Sequence, residues 1–162
     1  NIPSRCVIDM SVDTMARLYE LKNIVGVKDA TGDLNRLDQT IKKLGQDFIN
    51  LTGEDGLALE FNKKGGNGII SVTANIAPKL CSDMQKFSKS NSNNEIEKAE
   101  RIDNILQPLH KSLFIESNPA PAKYAAKLLG LCEDEIRLPL VNIQKETEEK
   151  VKKALLSANL LS

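Results

Sequence analysis

The sequence is poor in the residue types that build metal sites and disulfide frameworks. Its 162 residues include one histidine and three cysteines. The cysteines, Cys6, Cys81 and Cys132, are an odd number at unrelated spacings, which suits a reducing cytosol better than a set of disulfides. With His110 alone and no cluster of cysteine and histidine, a zinc site is not expected. We interpret His110 as a structural or surface residue.

Net charge and long apolar runs are also missing. Lysine plus arginine and aspartate plus glutamate both number 22, so the formal net charge is zero. That balance argues against nucleic acid or an anionic membrane surface as the main partner. No apolar run approaches the ~20 residues of a membrane span. The hydrophobic fraction of 41% is typical of a soluble globular protein. Because the chain begins without methionine, we expect it to be a piece of a longer protein.

Three strand-sized apolar runs are present in the first half of the chain. They are "IVGVK" from Ile24, "FINLT" from Phe48 and "GIISV" from Gly68. Near-continuous apolar runs, rather than alternating ones, are typical of parallel strands covered by helices. Each run is followed by a small-residue loop and a helical pattern. Serial βα units predict either an open doubly wound sheet or a barrel. A whole (β/α)8 barrel needs about 250 residues, more than this chain has.

Helix boundary signals follow the same plan. Ser11 and Asp33 are candidate N-caps, and Gly45 is a candidate stop for the helix that Asp33 begins. A further helix is predicted over about residues 55–64, and Pro78 suits the first turn of another. After Lys89 the chain turns polar and then reads as helices only. These are predicted from a capping box at Ser92 and Glu95, after Asn118-Pro119, and over about residues 145–159. We therefore predict a barrel part at 1–90 and a helical region at 91–162.

Lys28 is the residue that this plan does not explain. Side chains alternate along a strand, so Val25 and Val27 should pack on the helices while Lys28 points to the other side. It also lies at the carboxyl end of its strand, where active sites of βα folds form. A lysine taken out of water loses preference for its charged form. A neutral amine reacts with a ketone or aldehyde to give a Schiff base. The alternatives are a lysine that snorkels to solvent or one that pairs with Asp29.

Five segments together resemble the dihydrodipicolinate synthase/N-acetylneuraminate lyase family of class I, Schiff-base aldolases. They are "NIPSR" at 1–5, "NIVGVKDATGDLNR" at 23–36, "LTGED" at 51–55, "GGNGIISVTANIAP" at 65–78 and "LFIESNPAPAKYA" at 113–125. They follow in the family's order and cover essentially the whole chain. The resemblance implies an α/β fold: the C-terminal half of a (β/α)8 TIM barrel, about three βα units, followed by a C-terminal helical region.

The resemblance also implies roles for particular residues. Lys28 would form the imine with pyruvate, so no metal or organic cofactor is expected. Arg5, in the N-x-P-S-R form of the dihydrodipicolinate synthases, would bind the carboxylate of the aldehyde substrate. Gly53 and Ile70 would lie against bound pyruvate. The catalytic tyrosine would be the residue directly before Asn1. The family often has Thr-Gly after the arginine, where this chain has Cys6-Val7.

The implied reaction is the aldol condensation of pyruvate with L-aspartate 4-semialdehyde to 4-hydroxy-tetrahydrodipicolinate. It is the first committed step of lysine and diaminopimelate biosynthesis in the cytoplasm, carried out by a homo-oligomer, either a dimer or a tetramer. One alternative is another pyruvate-dependent aldolase of the family that acts on a sugar acid, such as N-acetylneuraminate lyase. The other is a non-catalytic fragment. We expect the chain alone to be inactive, and either to self-associate or to be ordered only beside the rest of the barrel.

Overall fold

The computed structural model describes residues 1–161 as two compact units. The first unit is Asn1–Ser71, and the second begins at Val72. The predicted boundary between residues 90 and 91 falls later than this division. The reason is that the helix Pro78–Phe87 packs against the helix Asn93–Ser112, so it belongs with the second unit.

The first unit is built on a three-stranded parallel sheet. The strands are β1 (Gly26–Asp29), β2 (Ile49–Thr52) and β3 (Gly68–Ile69), in the order β1-β2-β3. Lys28 is opposite Leu51 in the β1–β2 register. The three apolar runs thus form parallel strands as predicted, although each strand is shorter than its run. Val25 precedes β1 and is 61% exposed, so the prediction that it packs on the helices is wrong.

Four α-helices accompany this sheet. They are α1 (Pro3–Cys6), α2 (Val12–Tyr19), α3 (Leu34–Leu44) and α4 (Ala58–Lys63), the last preceded by a 3-10 turn at Asp55–Leu57. The Ser11 hydroxyl accepts from the Thr14 backbone N–H at 3.1 Å, and the Asp33 carboxylate accepts from that of Asn35 at 2.9 Å. Gly45 ends α3 with φ 86°, in the region that favours glycine. Both predicted caps and the predicted stop are confirmed.

The helix-facing side of the sheet is the core of the first unit. Met15, Leu37, Phe48 and Phe61 are all buried there. The rings of Tyr19 and Phe48 meet edge to face, with centroids 4.9 Å apart. Such apolar burial fixes which face of each strand turns toward the helices, and therefore which face is left for other side chains.

The second unit is helical. After a 3-10 turn at Thr73–Asn75 it contains α5 (Pro78–Phe87), α6 (Asn93–Ser112), α7 (Ala120–Leu128) and α8 (Lys145–Ser157). Its core is lined by apolar residues from these helices: Cys81, Met84, Ala99, Leu106, Leu109, Leu113, Ala125, Val151, Ala154 and Leu155. The helices predicted from sequence are thus confirmed in their order and position.

Two side chains in the second unit refine the predictions. Ser92 is the N-cap of α6, but its side chain makes no capping hydrogen bond, so the predicted capping box is wrong in that detail. His110 is buried at 5% exposure, and its Nδ1 lies 2.8 Å from the Thr73 hydroxyl. The histidine is therefore structural rather than superficial. Across residues 1–161, no helix is both long and apolar enough to cross a bilayer.

Candidate active site

Lys28 lies near the carboxyl end of β1, on the sheet face opposite the helices. Its neighbour Val27 lines a small space between the sheet and α3, together with its register partner Asn50 and with Leu37 of α3. Alternation along the strand therefore directs Lys28 to the other face, as predicted. In this chain the Lys28 side chain is exposed. Nothing in the first unit covers it enough to give the enclosed environment that the sequence suggested.

Gly53 makes room for the Lys28 side chain. A Cβ added at Gly53 would lie 2.8 Å from Lys28 Cε and 2.8 Å from Ala30 Cβ. Real Cβ atoms essentially never come that close to another heavy atom. The Gly53 backbone N–H donates to the Asp29 carbonyl at 2.7 Å, so the loop after β2 is held against the end of β1. The contact of Gly53 with bound pyruvate stays a prediction; the structure shows that the lysine side chain passes too close for any larger residue at position 53.

Asp29 is turned away from Lys28 and has partners of its own. Its carboxylate accepts from the Asn1 side-chain amide at 2.8 Å and from the Thr31 backbone N–H at 2.9 Å. It also lies 2.9 Å from Nε of Arg36. Burial pushes the pKa of Asp29 upward, but the hydrogen bonds from Thr31 and Asn1 and the charge of Arg36 outweigh it and hold that pKa below its ordinary value. Lys28 and Asp29 therefore do not form the ion pair that was one alternative interpretation of the lysine.

Asn1 extends the parallel sheet beside β1. Its backbone nitrogen donates to the Lys28 carbonyl at 2.8 Å, and its carbonyl accepts from the Ala30 N–H at 2.9 Å. These two bonds bracket Asp29 in the manner of a parallel ladder, so Asn1 lies opposite Asp29 in register. The Asn1–Asp29 side-chain contact agrees, because opposite residues of a ladder point to the same face.

Arg5 is exposed on the short helix α1. The alternative interpretation of an arginine at this position is a surface salt bridge. Among residues 1–161, no carboxylate lies within ion-pair distance of the Arg5 guanidinium, so that salt bridge is not found. The helix is followed by Val7 in the left-handed region, with φ 66°, where the Val7 N–H donates to the Pro3 carbonyl at 2.8 Å. The Cys6-Val7 departure from the family pattern thus falls at a tight turn directly behind the arginine.

Ile70 lies just beyond β3 and is 51% exposed. Its backbone N–H donates to the Thr52 carbonyl at 3.0 Å, which holds it beside the end of β2. The next residue, Ser71, donates its hydroxyl to the buried carboxylate of Asp55. This contact ties the loop that contains Gly53 to the segment that contains Ile70.

Lys28, Gly53 and Ile70 therefore lie at the carboxyl ends of three adjacent parallel strands. A primary amine on an open sheet face, next to a glycine that leaves space, can form a Schiff base with a carbonyl compound. In the region that the structure describes, no group of three His, Cys, Asp or Glu side chains could hold a metal ion. The absence of a metal or cofactor from the reaction stays a prediction. The roles of Asp29, Asn1 and Arg36 were missed in the sequence, because helical or strand periodicity gives no signal for hydrogen bonds between distant polar residues.

Comparison with known proteins agrees with this architecture. Residues 1–158 match the Dihydrodipicolinate synthetase family. The 4-hydroxy-tetrahydrodipicolinate synthase of Pelagibacter ubique is 69% identical over 161 residues, which are 99% of this chain and 55% of that protein. The crystal structure of dihydrodipicolinate synthase from Aquifex aeolicus is 39% identical and superposes with a TM-score of 0.92 over 99% of this chain and 54% of that one.

A second similar structure includes a small molecule. It is the chloride-inhibited dihydrodipicolinate synthase from Acinetobacter baumannii complexed with pyruvate, 40% identical, with a TM-score of 0.92 over 99% of this chain and 54% of that one. The chain thus spans about half the length of the relatives that it matches.

The fold and the strand-end site define an α/β protein with the C-terminal half of a (β/α)8 barrel followed by a helical region, as predicted. The chain belongs to the Dihydrodipicolinate synthetase family.

Proposed function

We propose that this chain provides the Schiff-base half of a lyase that condenses pyruvate with L-aspartate 4-semialdehyde to 4-hydroxy-tetrahydrodipicolinate. The observation that carries the proposal is the position of Lys28. It lies at the carboxyl end of a parallel strand, on the face away from the helices, and Gly53 leaves space beside its Cε. Membership of the family and the names of the relatives support the same reaction.

The chemistry proposed for Lys28 is covalent. Its neutral amine adds to the ketone carbon of pyruvate and water leaves, which gives an imine. Loss of a methyl proton converts the imine to an enamine, whose carbon attacks the aldehyde carbon of L-aspartate 4-semialdehyde. The amino group of that substrate then adds to the imine carbon and closes the ring. The bond to Lys28 Nζ breaks, and the lysine is regenerated without a metal or organic cofactor.

Arg5 is the proposed partner of the aldehyde substrate's carboxylate. A guanidinium offers two parallel N–H donors that match the two oxygens of a carboxylate. Its exposure leaves the group open to a ligand. Gly53 and Ile70 would form the wall against pyruvate, Gly53 because no side chain occupies that space and Ile70 because its exposed side chain follows the next strand.

The sheet register supports a position for the catalytic tyrosine opposite Lys28. Asn1 is opposite Asp29, so a residue directly before Asn1 would be opposite Lys28. Residues opposite one another in a ladder point to the same face. A tyrosine at that position, as the family resemblance implies, would therefore point to the Lys28 face. That is where a group that moves protons to and from the imine is needed.

The proposal also covers where the whole protein acts, its oligomeric state and the activity of this chain alone. The reaction would take place in the cytoplasm, in a homo-oligomer that is a dimer or a tetramer. The chain by itself would be inactive, because the tyrosine and the other strands of the barrel lie outside it. In isolation, its sheet would leave unpaired edges that favour self-association.

Turnover in a completed protein tests the proposed reaction. Such a protein joins this chain, from Asn1 onward, to the segment of the Pelagibacter ubique relative outside the match. We expect it to consume pyruvate and L-aspartate 4-semialdehyde, with little cleavage of N-acetylneuraminate or of 2-keto-3-deoxy sugar acids. Preference for a sugar acid would favour the alternative aldolase. No turnover and no pyruvate adduct in a folded protein would favour a non-catalytic fragment.

A further inference from the structure

The loop that contains Arg5 is closed at its base by a polar cluster. Residue 1 begins the loop and residues 9 and 10 end it. The Asn1 amide nitrogen donates to Asp9 Oδ1 at 2.8 Å, and the Met10 backbone N–H donates to the Asn1 side-chain oxygen at 3.0 Å. One asparagine side chain thus joins both ends of the loop.

Arg36 reinforces the same closure from α3. Its Nη1 lies 2.8 Å from Asp9 Oδ2, and its Nη2 donates to the Met10 carbonyl. Its Nε lies 2.9 Å from Asp29 Oδ2, the same oxygen that accepts from the Asn1 amide. Arg36 is only 13% exposed, so water screens these contacts less than it screens a surface ion pair.

We infer that Asn1, Asp9, Asp29 and Arg36 form a clamp that fixes the base of the 1–10 loop and thereby sets where Arg5 reaches relative to Lys28. Arg36 is then a positioning residue for recognition of the aldehyde carboxylate. It acts through Arg5 and does not touch the substrate. This inference rests on the proposed function for the role of Arg5.

The geometry favours this role over a merely stabilising one. Asp29 directly follows Lys28 on β1 and points to the opposite face, so the clamp is anchored to the same strand as the lysine. The helix α1 and the left-handed turn at Val7 lie within the loop, between the two clamped ends. A displacement of about 1 Å in a group that positions substrate can cost about 10²-fold in rate. Release of the clamped ends of the 1–10 loop would therefore impair the use of L-aspartate 4-semialdehyde.

The test uses the completed protein with Arg36→Met, which removes the charge and keeps an unbranched stem. The control is Lys43→Met on the same helix. It breaks an ion pair with Asp13 that is more exposed and lies outside the loop. We expect Arg36→Met to raise KM for L-aspartate 4-semialdehyde at least about tenfold. The rate of pyruvate imine formation should stay within about twofold, and Lys43→Met should change neither.

A double-mutant cycle separates positioning from general stability. If Arg36 acts through Arg5, Arg36→Met should add no further rise in the aldehyde KM once Arg5→Ala is present. An unchanged KM in Arg36→Met, or effects that simply multiply in the double variant, would overturn the inference. If Arg36→Met fails to fold, Asp9→Asn releases one arm of the clamp at a half-exposed residue and is judged by the same criteria.

Hydrogen exchange gives a reading that does not depend on activity. Amides of residues 1–10 should exchange at least about tenfold faster in Arg36→Met, while those of β2 stay unchanged. Equal exchange in the two proteins would overturn the clamp. If the unsubstituted completed protein forms no pyruvate adduct, the proposed function fails. The rate of amide hydrogen exchange in residues 1–10 then decides by itself whether the clamp holds the loop.

Discussion

Lys28 and Gly53 are complementary: the lysine side chain occupies the space that a side chain at position 53 would fill. The Cβ of any other residue there would lie 2.8 Å from Lys28 Cε. Lys28 is on β1 and Gly53 directly follows the adjacent parallel strand β2, so the relationship depends on the sheet and not on sequence proximity. The side chain of Lys28, the proposed nucleophile, can follow its path only because residue 53 has no side chain.

Gly53→Ala tests this complementarity directly. The added methyl group must displace Lys28 Cε, which is flexible, and also meets Ala30 Cβ, which is less able to move. We expect the completed protein to form the pyruvate imine at least about tenfold more slowly, because misplacing a reacting group by ~1 Å is costly. Single-turnover trapping with borohydride measures the rate. The double variant Gly53→Ala/Ala30→Gly removes the second contact. If it restored the full rate, displacement of Lys28 would not be the cause.

Arg5→Ala is expected to separate the two substrates. A charge-assisted contact is worth roughly 1.5–3 kcal/mol, on the order of 10- to 100-fold in binding. Use of L-aspartate 4-semialdehyde should therefore fall by about that factor, while imine formation with pyruvate is nearly unchanged. Steady-state kinetics with each substrate varied in turn provides the measurement. Equal losses in both steps would indicate that Arg5 is structural.

Asp29→Asn should change how stability depends on pH. Burial raises the folded pKa of Asp29, but Thr31, Asn1 and Arg36 favour its ionised form more strongly, so that pKa lies below the ordinary value of an aspartate. A depressed pKa adds stability above the unfolded value, and that stability is lost as pH falls through the folded value. Replacement should lower the free energy of unfolding near pH 7 by about 1–3 kcal/mol.

The difference from the unsubstituted protein should shrink below about pH 4, near the ordinary pKa of aspartate. Urea unfolding of the completed protein between pH 7 and pH 3 measures it. The exposed carboxylate of Asp13, replaced by asparagine, is a suitable control. A difference that stayed constant over this range would contradict the ionic role of Asp29.

The 162-residue chain alone should be inactive toward pyruvate and L-aspartate 4-semialdehyde. Its lysine is exposed on an open sheet face, and a missing proton-transfer group alone typically costs ~10²–10⁴-fold. Analytical ultracentrifugation and an assay of the purified chain, with its mass confirmed, provide the check. A monomer with turnover close to that of the completed protein would refute the half-barrel account of activity.

Much of the fold could be predicted from the sequence because its signals are local. Apolar runs indicated the three parallel strands, and Ser11, Asp33 and Gly45 marked helix boundaries through their own backbone chemistry. The orientation of Lys28 followed from strand alternation. Val25 was misplaced because alternation says nothing about where a strand begins.

The contacts around the site could not be predicted in the same way. Asp29 and Arg36 are seven positions apart in sequence, and the clamp joins them to residues 1, 9 and 10 only after the sheet and α3 are in place. Whether Lys28 pairs with Asp29 depends on which face each side chain takes and on which partners already satisfy the carboxylate. That choice is a property of tertiary structure.

Identification of the lysine that pyruvate modifies tests the central claim most directly. The completed protein is treated with pyruvate and sodium borohydride, digested, and analysed by mass spectrometry. We predict a single reduced adduct on Lys28, no adduct in Lys28→Ala, and retained adduct in Lys43→Ala. An adduct on a different lysine, or labelling that survives Lys28→Ala, would contradict the assignment of Lys28 as the Schiff-base residue.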